Sequence, residues 1–374
     1  MRHISVALMA AAISVSSLAV HAQQVVKIGF SSPLSGGQSG YGVDNRDGLL
    51  LAVKELNAKG IKVGQQKVQF EVVASDDAAD PRQGVSVAQI MVDSKINYVI
   101  GPYNSGVAIP ASRVYNDAGT VLLTVASNPK VTEQKYSRLF RVGASDSQLG
   151  AKMAVYAAKN MKIKNVAVID DRTSYGQGLA DEFTAEAKRQ GLNIVNEQFT
   201  TDKATDFAAI LTAIRATKPE AIFFGGYSSQ AGPMLRQIKA LGMQVKLLGG
   251  DGICSSETAR LSGGVADNMV LCTQGGGMLE KADVGRAFVQ KYRAAYKRDP
   301  LTYAAAFYDA GMLLANAMEK TDSLDPGKIA EYLAKNSYKG VVGEYSFNDK
   351  HDLKSSTVTV FTFKDGQPVP LLSL

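Results

Sequence analysis

Residues 165–199 read NVAVIDDRTSYGQGLADEFTAEAKRQGLNIVNEQF. The segment opens with an apolar run that predicts a buried strand over Asn165–Asp170, and Asn193–Phe199 predicts a second strand. Between them, apolar residues recur at helical spacing from about Tyr175 to Gln190. Strand, helix and strand in this order are typical of a parallel sheet covered by helices.

The same alternation extends over the rest of the chain. Other predicted strands or short extended segments are Val25–Ser31, Val68–Ala74, Tyr98–Gly101, Thr120–Thr124, Leu139–Val142, Ala221–Gly225, Val245–Leu248, Met269–Cys272 and Val358–Phe363. Other predicted helices are Tyr41–Lys59, Pro81–Asp93, one that starts near Ser105, Asp206–Ala216, Ser229–Leu241 and three within Lys281–Lys335. A chain of 374 residues is too long for one ordinary hydrophobic core. We therefore predict an α/β protein with two doubly wound parallel-sheet lobes.

The composition excludes several classes of protein. Hydrophobic residues make up 45% and charged residues 20% of the chain, which is the balance of a globular protein. The formal net charge is +6, but no basic block could follow a phosphate backbone. We expect no nucleic-acid partner.

The N-terminus predicts export. Residues 1–22 read MRHISVALMAAAISVSSLAVHA, with a positive start, an apolar stretch from Ile4 to Val20 and small residues before a cleavage point after Ala22. A membrane anchor is the alternative, but serines interrupt the stretch and it is short for a bilayer span. We expect a cleaved signal peptide and an exported mature protein.

Few residues of the mature chain could support catalysis or metal binding. Without residues 1–22, His351 is the only histidine, in a segment typical of a turn. Zinc and iron sites draw on several His or Cys ligands, and serine or cysteine nucleophiles need a nearby histidine. Asp76 and Asp77 are adjacent carboxylates, but neighbours on a strand point to opposite faces. The two side chains are therefore not expected to act together as a catalytic pair. We expect no catalytic residue, no metal and no cofactor, and therefore no enzyme.

Cys254 and Cys272 are the only cysteines. In an oxidising compartment an isolated pair favours a disulfide. Two separate buried thiols are the alternative, since spacing alone does not determine geometry.

Open α/β sheets bind ligands beyond the carboxyl ends of their strands. The glycine-rich segment after the first strand presents Tyr41, and it has no glycine pattern of a nucleotide site. After the third strand, Ser105 would cap a helix whose exposed amides could bind an anion. The loop after the fourth strand, residues 125–129, is again rich in polar groups.

The strand ends of the second half supply Tyr175, Tyr227 and Asp251. Asp251 could face a cationic ligand group, or it could be a turn aspartate that bonds its own backbone. Tyr103 and Tyr308 could join the other tyrosines as walls of a ligand pocket. Each of them could instead be an ordinary packed or surface residue. The start of a helix can bind a carboxylate group, and Asp251 can bind an ammonium group. This set of residues therefore indicates binding of a zwitterion rather than catalysis.

Six segments occur in a specific order and spacing: VKIGFSSPLSG at 26–36, DDAADPRQGVSVAQ at 76–89, YVIGPYNSGVAIPAS at 98–112, LLTVASNPKVT at 122–132, SYGQGLADEF at 174–183 and FFGGYSSQAG at 223–232. With them, the whole mature chain resembles the leucine/isoleucine/valine-binding family, periplasmic solute-binding proteins of ABC amino-acid importers. The resemblance implies a periplasmic receptor, which we expect to be a monomer. It implies an amino-acid ligand, branched-chain or otherwise apolar, and a membrane permease as partner.

The resemblance also implies a set of ligand contacts. The carboxylate would be held by Ser105, Ala126 and Ser127, and the ammonium by Ser127 and Asp251. Tyrosines would form the walls, with Tyr103 lining the side-chain pocket. The full set is Tyr41, Tyr103, Ser105, Ala126, Ser127, Tyr175, Tyr227, Asp251 and Tyr308.

Two departures from the family pattern affect these expectations. Asp251 stands where the branched-chain binders have glutamate, and with Tyr103 it reshapes the pocket. A receptor for an amide, urea or an aromatic acid is therefore an alternative. The first-lobe disulfide of some members would need cysteines in place of Ala79 and Asn104.

The family further implies three hinge crossings between the lobes, near Val142, Gly275 and Lys350. Lobe 1 would comprise residues 24–142 plus 277–350, and lobe 2 residues 143–276 plus 351–374. Closure would bury the ligand, and the importer could then distinguish loaded from empty protein. A sensory protein that docks on a membrane receptor is a second hypothesis.

Overall fold

The computed structural model describes residues 24–374, so the predicted signal peptide at residues 1–22 lies outside the described residues. The strands are β1 Gln24–Ser32, β2 Lys62–Val63, β3 Gln66–Asp76, β4 Tyr98–Ile100, β5 Val121–Thr124, β6 Leu139–Arg141, β7 Asn165–Asp170, β8 Asn193–Phe199, β9 Ala221–Gly225, β10 Lys246–Gly249, β11 Val270–Gly275, β12 Tyr338–Lys339, β13 Glu344–Tyr345, β14 Val358–Lys364 and β15 Gln367–Ser373. The helices are α1 Ser39–Lys59, α2 Pro81–Asp93, α3 Ser105–Asp117, α4 Lys130–Glu133, α5 Asp146–Lys159, α6 Ser174–Arg189, α7 Ala208–Ala216, α8 Ser228–Ala240, α9 Ser256–Ser262, α10 Asp283–Tyr296, α11 Ala304–Thr321 and α12 Pro326–Lys335.

Each lobe is built on one large sheet. The first sheet has the order β2-β3-β1-β4-β5-β6 and packs with α1–α4 and α10–α12. The second has the order β15-β14-β11-β10-β9-β7-β8 and packs with α5–α9. Parallel pairs dominate both sheets, while β2, β14 and β15 are antiparallel additions at the edges. The prediction of two α/β lobes with mainly parallel sheets is confirmed.

The two lobes repeat one strand order although the chain shows no internal sequence repeat. In the first sheet β3-β1-β4-β5-β6 are neighbours, and in the second β8-β7-β9-β10-β11 follow the same pattern. In this doubly wound order the connections change direction beside the first strand of each lobe, which opens a crevice at the strand ends. Both lobes therefore have a crevice at the strand ends in the same relative position.

Three segments run between elements packed on the first sheet and elements packed on the second. The first crossing, residues 142–145, joins β6 to α5; the second, residues 276–278, follows β11; the third, residues 346–357, joins β13 to β14. The hairpin of β12 and β13 belongs with the first lobe, because Tyr345 donates a hydrogen bond to Asp309 of α11 at 3.0 Å.

Sequence patterns predicted most elements but not all of them. α5 was not predicted, although Ser145 and Gln148 form a capping box at its start. β15 and the short α4 and α9 were also missed. The face predicted for α1 is confirmed, since Leu49, Val53 and Leu56 are all buried.

The predicted disulfide between Cys254 and Cys272 is present, with the Cα atoms 5.5 Å apart. It attaches the segment that follows Asp251 to β11. Closing a loop of this size stabilises a fold by about 3 kcal/mol on the chain-entropy model. Over residues 24–374, no helix has the length and apolar character of a membrane span.

Candidate ligand-binding site

The candidate site lies where the strand ends of the two lobes face each other. First-lobe residues come from α1, from the segment after β4 and from the loop after β5, while second-lobe residues follow β7, β9 and β10. The structure brings together, as buried residues on the facing strand ends, Tyr41, Tyr103, Ser105, Ala126, Ser127, Tyr175, Tyr227 and Asp251.

Asp251 is the buried carboxylate between the lobes. It opens a short 3₁₀ turn after β10 and is only 3% exposed. The Tyr175 hydroxyl of the second lobe donates to its Oδ1 at 2.5 Å, and the Tyr303 hydroxyl of the first lobe donates to its Oδ2. Burial raises the pKa of Asp251, and these two hydroxyl groups partly offset that effect. A single carboxylate therefore contacts both lobes.

Five tyrosines surround this carboxylate. Tyr41 stacks on Tyr103 with ring centroids 5.6 Å apart, and Tyr175 lies 4.9 Å from Tyr227. Tyr103 also contacts Tyr227 at 6.3 Å and Tyr303 at 5.8 Å. Burial raises the pKa of all five hydroxyl groups above the ordinary value, so they stay protonated and can donate hydrogen bonds. We call these five residues the tyrosine cluster.

The Tyr41 hydroxyl connects the lobes. It lies 2.6 Å from Ser228 Oγ and 2.7 Å from Ser255 Oγ, and it donates to the Gly252 carbonyl at 2.9 Å. Since Tyr41 belongs to α1 and the other three residues to the second lobe, these contacts exist only when the lobes are together.

The start of α3 differs from the expectation. Asn104, not Ser105, is the N-cap residue, and its side chain does not cap the helix. Ser105 is the first helical residue, and its Oγ accepts a hydrogen bond from the Asn128 amide at 3.2 Å. Asn104 instead donates from Nδ2 to Gln38 at 2.7 Å and to the Tyr227 hydroxyl at 3.0 Å. The cap prediction for Ser105 is therefore wrong, because the hydroxyl is used to hold the neighbouring loop.

The loop after β5 is held by its carbonyl groups. Ala126 and Ser127 are both buried. The Ala126 carbonyl accepts a hydrogen bond from the Arg141 guanidinium, and the Ser127 carbonyl accepts one from the Asp146 amide at 2.8 Å. We call residues 126–128 the anchor loop.

Tyr308 does not join the tyrosine cluster, which corrects the sequence expectation. Its hydroxyl donates to Glu55 at 3.0 Å, and its ring packs 5.2 Å from Phe288. Tyr303, which precedes α11, is the residue of this segment that lies in the tyrosine cluster. Tyr303 is the N-cap residue outside the helix and Tyr308 lies within α11, so the two side chains face different neighbours.

Asp146 is a second buried carboxylate that sequence reasoning missed. It is the first residue of α5 and has 0% exposure. Burial raises its pKa well above the ordinary value, and the Ser127 side chain, which lies beside the carboxyl group, partly offsets that effect. The capping box at Ser145 and Gln148 is the sequence signal that could have located this residue.

Among the residues described, no group of three His, Cys, Asp or Glu side chains could hold a metal ion. Asp251 and Asp146 offer buried carboxyl groups, the tyrosines offer apolar faces with hydroxyl donors, and the start of α3 offers free amides.

A family model described as periplasmic binding protein matches residues 25–368. The chain belongs to the periplasmic binding protein family. It is 36% identical over 355 residues to an amino acid binding protein of Pseudomonas aeruginosa, with 94% of each chain covered. It is 33% identical over 352 residues to Leu/Ile/Val-binding protein homolog 2 of Brucella abortus, with 91% of each covered.

A solved structure supports the same relationship. The branched-chain amino acid transporter substrate binding protein of Streptococcus pneumoniae, in complex with isoleucine, superposes with a TM-score of 0.82 at 28% identity. The match covers 93% of this periplasmic binding protein and 100% of that chain. The resemblance to leucine/isoleucine/valine-binding proteins drawn from the six sequence segments is confirmed.

Proposed function

We propose that this protein is an extracytoplasmic receptor that captures an amino acid between its two lobes and delivers it to an ABC importer. The observation that carries the proposal is Asp251, a buried carboxylate that accepts hydrogen bonds from both lobes. Relatives described as amino acid and Leu/Ile/Val-binding proteins support a branched-chain or other apolar amino acid. The chain acts by binding and has no enzyme activity.

The ligand carboxylate is bound at the start of α3 and at the anchor loop, by Ser105, Ala126 and Ser127. The free amides of a helix start favour an anion there. The ammonium group is bound by Ser127 and Asp251, where a buried carboxylate pairs with a cation. Tyr303 takes the place first expected for Tyr308 in the aromatic wall. The other walls in this proposal are Tyr41, Tyr103, Tyr175 and Tyr227.

The hinge in this proposal runs through the three crossings. Lobe 1 comprises residues 24–142 plus 277–350, and lobe 2 residues 143–276 plus 351–374. The sheet order supports this division, since β1–β6 pair in one sheet and β7–β11 in the other. Ligand contacts on both lobes favour the closed arrangement, and the permease binds that arrangement.

The mature receptor is a periplasmic monomer without a nucleic-acid partner, released when the signal peptide is cleaved after Ala22. Its membership of a periplasmic family supports the location. Its partner is a membrane permease of an ABC importer.

Isothermal titration calorimetry tests the proposal on refolded, ligand-stripped protein. The titrants are aliphatic, aromatic and polar L-amino acids, with matched amides and deaminated acids. We expect one-to-one binding of at least one amino acid, and an affinity loss of about 100-fold or more in Asp251→Ala, because the ammonium loses its buried partner.

Asp309→Asn is the matched control. Asp309 is also a buried aspartate, but it accepts hydrogen bonds from Val341 and Val342, away from the tyrosine cluster. This variant should bind like the wild type. Equal binding of the deaminated acid would overturn the role of Asp251, and binding of amides or aromatic acids alone would overturn the amino-acid assignment.

A further inference from the structure

Arg141 is a fully buried arginine at the end of β6, directly before the first crossing. Its Nη1 donates to the carbonyl groups of Ala126 and Asn128, the latter at 3.0 Å. Its Nη2 donates to Thr132 Oγ1 at 2.8 Å. The guanidinium thus holds the anchor loop at two carbonyl groups, which a lysine ammonium could not do with the same planar geometry.

The same side chain reaches the third crossing. Arg141 Nε donates to Asp352 Oδ1 at 2.6 Å, and the Asp352 carboxylate is 23% exposed. The Arg141 amide donates to the His351 carbonyl at 3.0 Å. The His351 ring stacks on Phe140, with centroids 4.2 Å apart. Two adjacent residues of β6 therefore attach the third crossing to the first lobe.

These bonds orient the peptide groups of the anchor loop. Carbonyl and N–H point in opposite directions across a trans peptide plane. Because the Ala126 carbonyl faces Arg141, the Ser127 N–H points away from Arg141. In the same way the Ser127 carbonyl is bound by the Asp146 amide, and the Asn128 N–H points to Ser105. The guanidinium consequently determines which groups of the loop are free to meet a ligand.

We propose that Arg141 is a positioning residue that couples the anchor loop to the third crossing through its ion pair with Asp352. This inference rests on the proposed function, in which the loop binds the ligand carboxylate. Arg141 touches no ligand; it acts through the loop and the crossing. Movement of the third crossing during closure is therefore transmitted to the loop.

Asp352→Ala tests the coupling, because it removes a partly exposed side chain and leaves the contacts of Arg141 with the anchor loop in place. It also removes the hydrogen bond that Thr132 Oγ1 donates to Asp352 Oδ2 at 3.1 Å, so exchange is read at the anchor loop itself. Hydrogen exchange at residues 126–128 should become about tenfold faster, since one anchor of the guanidinium is lost. Ligand affinity should fall about fivefold to tenfold through a faster dissociation rate. Asp352→Asn keeps an oxygen acceptor for Arg141 and should recover most of both losses.

Asp47→Ala is the matched control. Asp47 pairs with Arg298 at 2.7 Å and with Arg46, both within the first lobe. This control should lower thermal stability without changing exchange at residues 126–128. Equal exchange in Asp352→Ala and wild type would overturn the coupling. The exchange measurement needs no ligand, so it stays decisive even where the wild type binds no amino acid and the proposed function fails.

Discussion

Asp76 and Asp77 are neighbours at the end of β3 with opposite environments. Asp76 accepts amide hydrogen bonds from Leu34 and Ala78, both at 2.8 Å. Burial raises its pKa, but these bonds and the Ser35 hydroxyl outweigh burial and hold the pKa of Asp76 below its ordinary value. Asp77 has 0% exposure, and burial raises its pKa to about 6 despite hydrogen bonds from Ser31 and Ala79.

The raised pKa of Asp77 predicts a pH-dependent stability. A carboxyl with a higher pKa in the folded state stabilises the fold at low pH, and this contribution is lost as the pH rises through about 6. Asp77→Asn should remove it, so the variant gains roughly 2 kcal/mol relative to wild type between pH 4 and pH 7. Urea denaturation at the two pH values measures the difference.

Asp76→Asn is the control for this prediction, because the pKa of Asp76 is shifted in the opposite direction. Its stability relative to wild type should stay nearly constant between pH 4 and pH 7, because a carboxyl with a lowered pKa changes its contribution to stability below that range. A parallel pH dependence in the two variants would show that the neighbouring carboxyl groups titrate alike, against the prediction.

The packing of α1 against α11 depends on a glycine. A Cβ atom at Gly48 would lie 2.1 Å from the carbonyl oxygen of Ala304, the first residue of α11. No side chain can be accommodated there without moving a backbone. The close approach matters for the site because α1 carries Tyr41 and Tyr303 directly precedes α11.

Gly48→Ala should therefore destabilise the protein by roughly 1–3 kcal/mol, although glycine-to-alanine changes stabilise an exposed helix. Gly40→Ala in the same helix is the control, because its Cβ would lie at an ordinary distance of 3.6 Å from Glu257. Urea denaturation should show the first variant less stable than wild type and the second equal or slightly more stable. Equal stability of the two variants would mean that α1 and α11 can separate freely.

At the scale of the whole molecule, the contacts between the lobes use the residues of the candidate site. Tyr41 meets Ser228 and Ser255, Asn104 meets Tyr227, and Tyr303 meets Asp251. In the proposed function, closure and ligand binding therefore depend on the same side chains. A change at one of these hydroxyl groups should alter how long the lobes stay together.

Tyr41→Phe removes the hydroxyl and keeps the ring that stacks on Tyr103. Because the partners on the second lobe lose a hydrogen bond, ligand affinity should fall about tenfold, mainly through faster dissociation. Small-angle scattering should show a larger radius of gyration at subsaturating ligand. Tyr296→Phe loses only a hydrogen bond to Asp47 within the first lobe, so this control should scatter and bind as wild type does. Identical behaviour of the two variants would contradict a closing role for Tyr41.

The sequence predicted those parts of the candidate site that depend on the order of strands and loops along the chain. Tyr175, Tyr227 and Asp251 were found because each follows an apolar strand, and parallel strands end at one edge of a sheet. The distinction between Tyr303 and Tyr308 was not predictable in this way. Which tyrosine reaches Asp251 depends on the residue at which α11 begins, because Tyr303 lies directly before the helix. Sequence patterns locate helix starts only approximately.

By itself, the sequence determined the α/β class, the two lobes and the strand ends at which we propose that a ligand binds. These features follow from hydrophobic periodicity and chain length, which are local or additive properties. The sequence also favoured a disulfide by the number of its cysteines, but only the structure decided their geometry. Only the tertiary structure decided the partners of the buried polar groups. Arg141 meets Asp352 across 211 positions and Tyr41 meets Ser255 across 214. Such pairs arise when separate elements are packed together, because a buried charge or hydroxyl takes its partner from whichever element covers it.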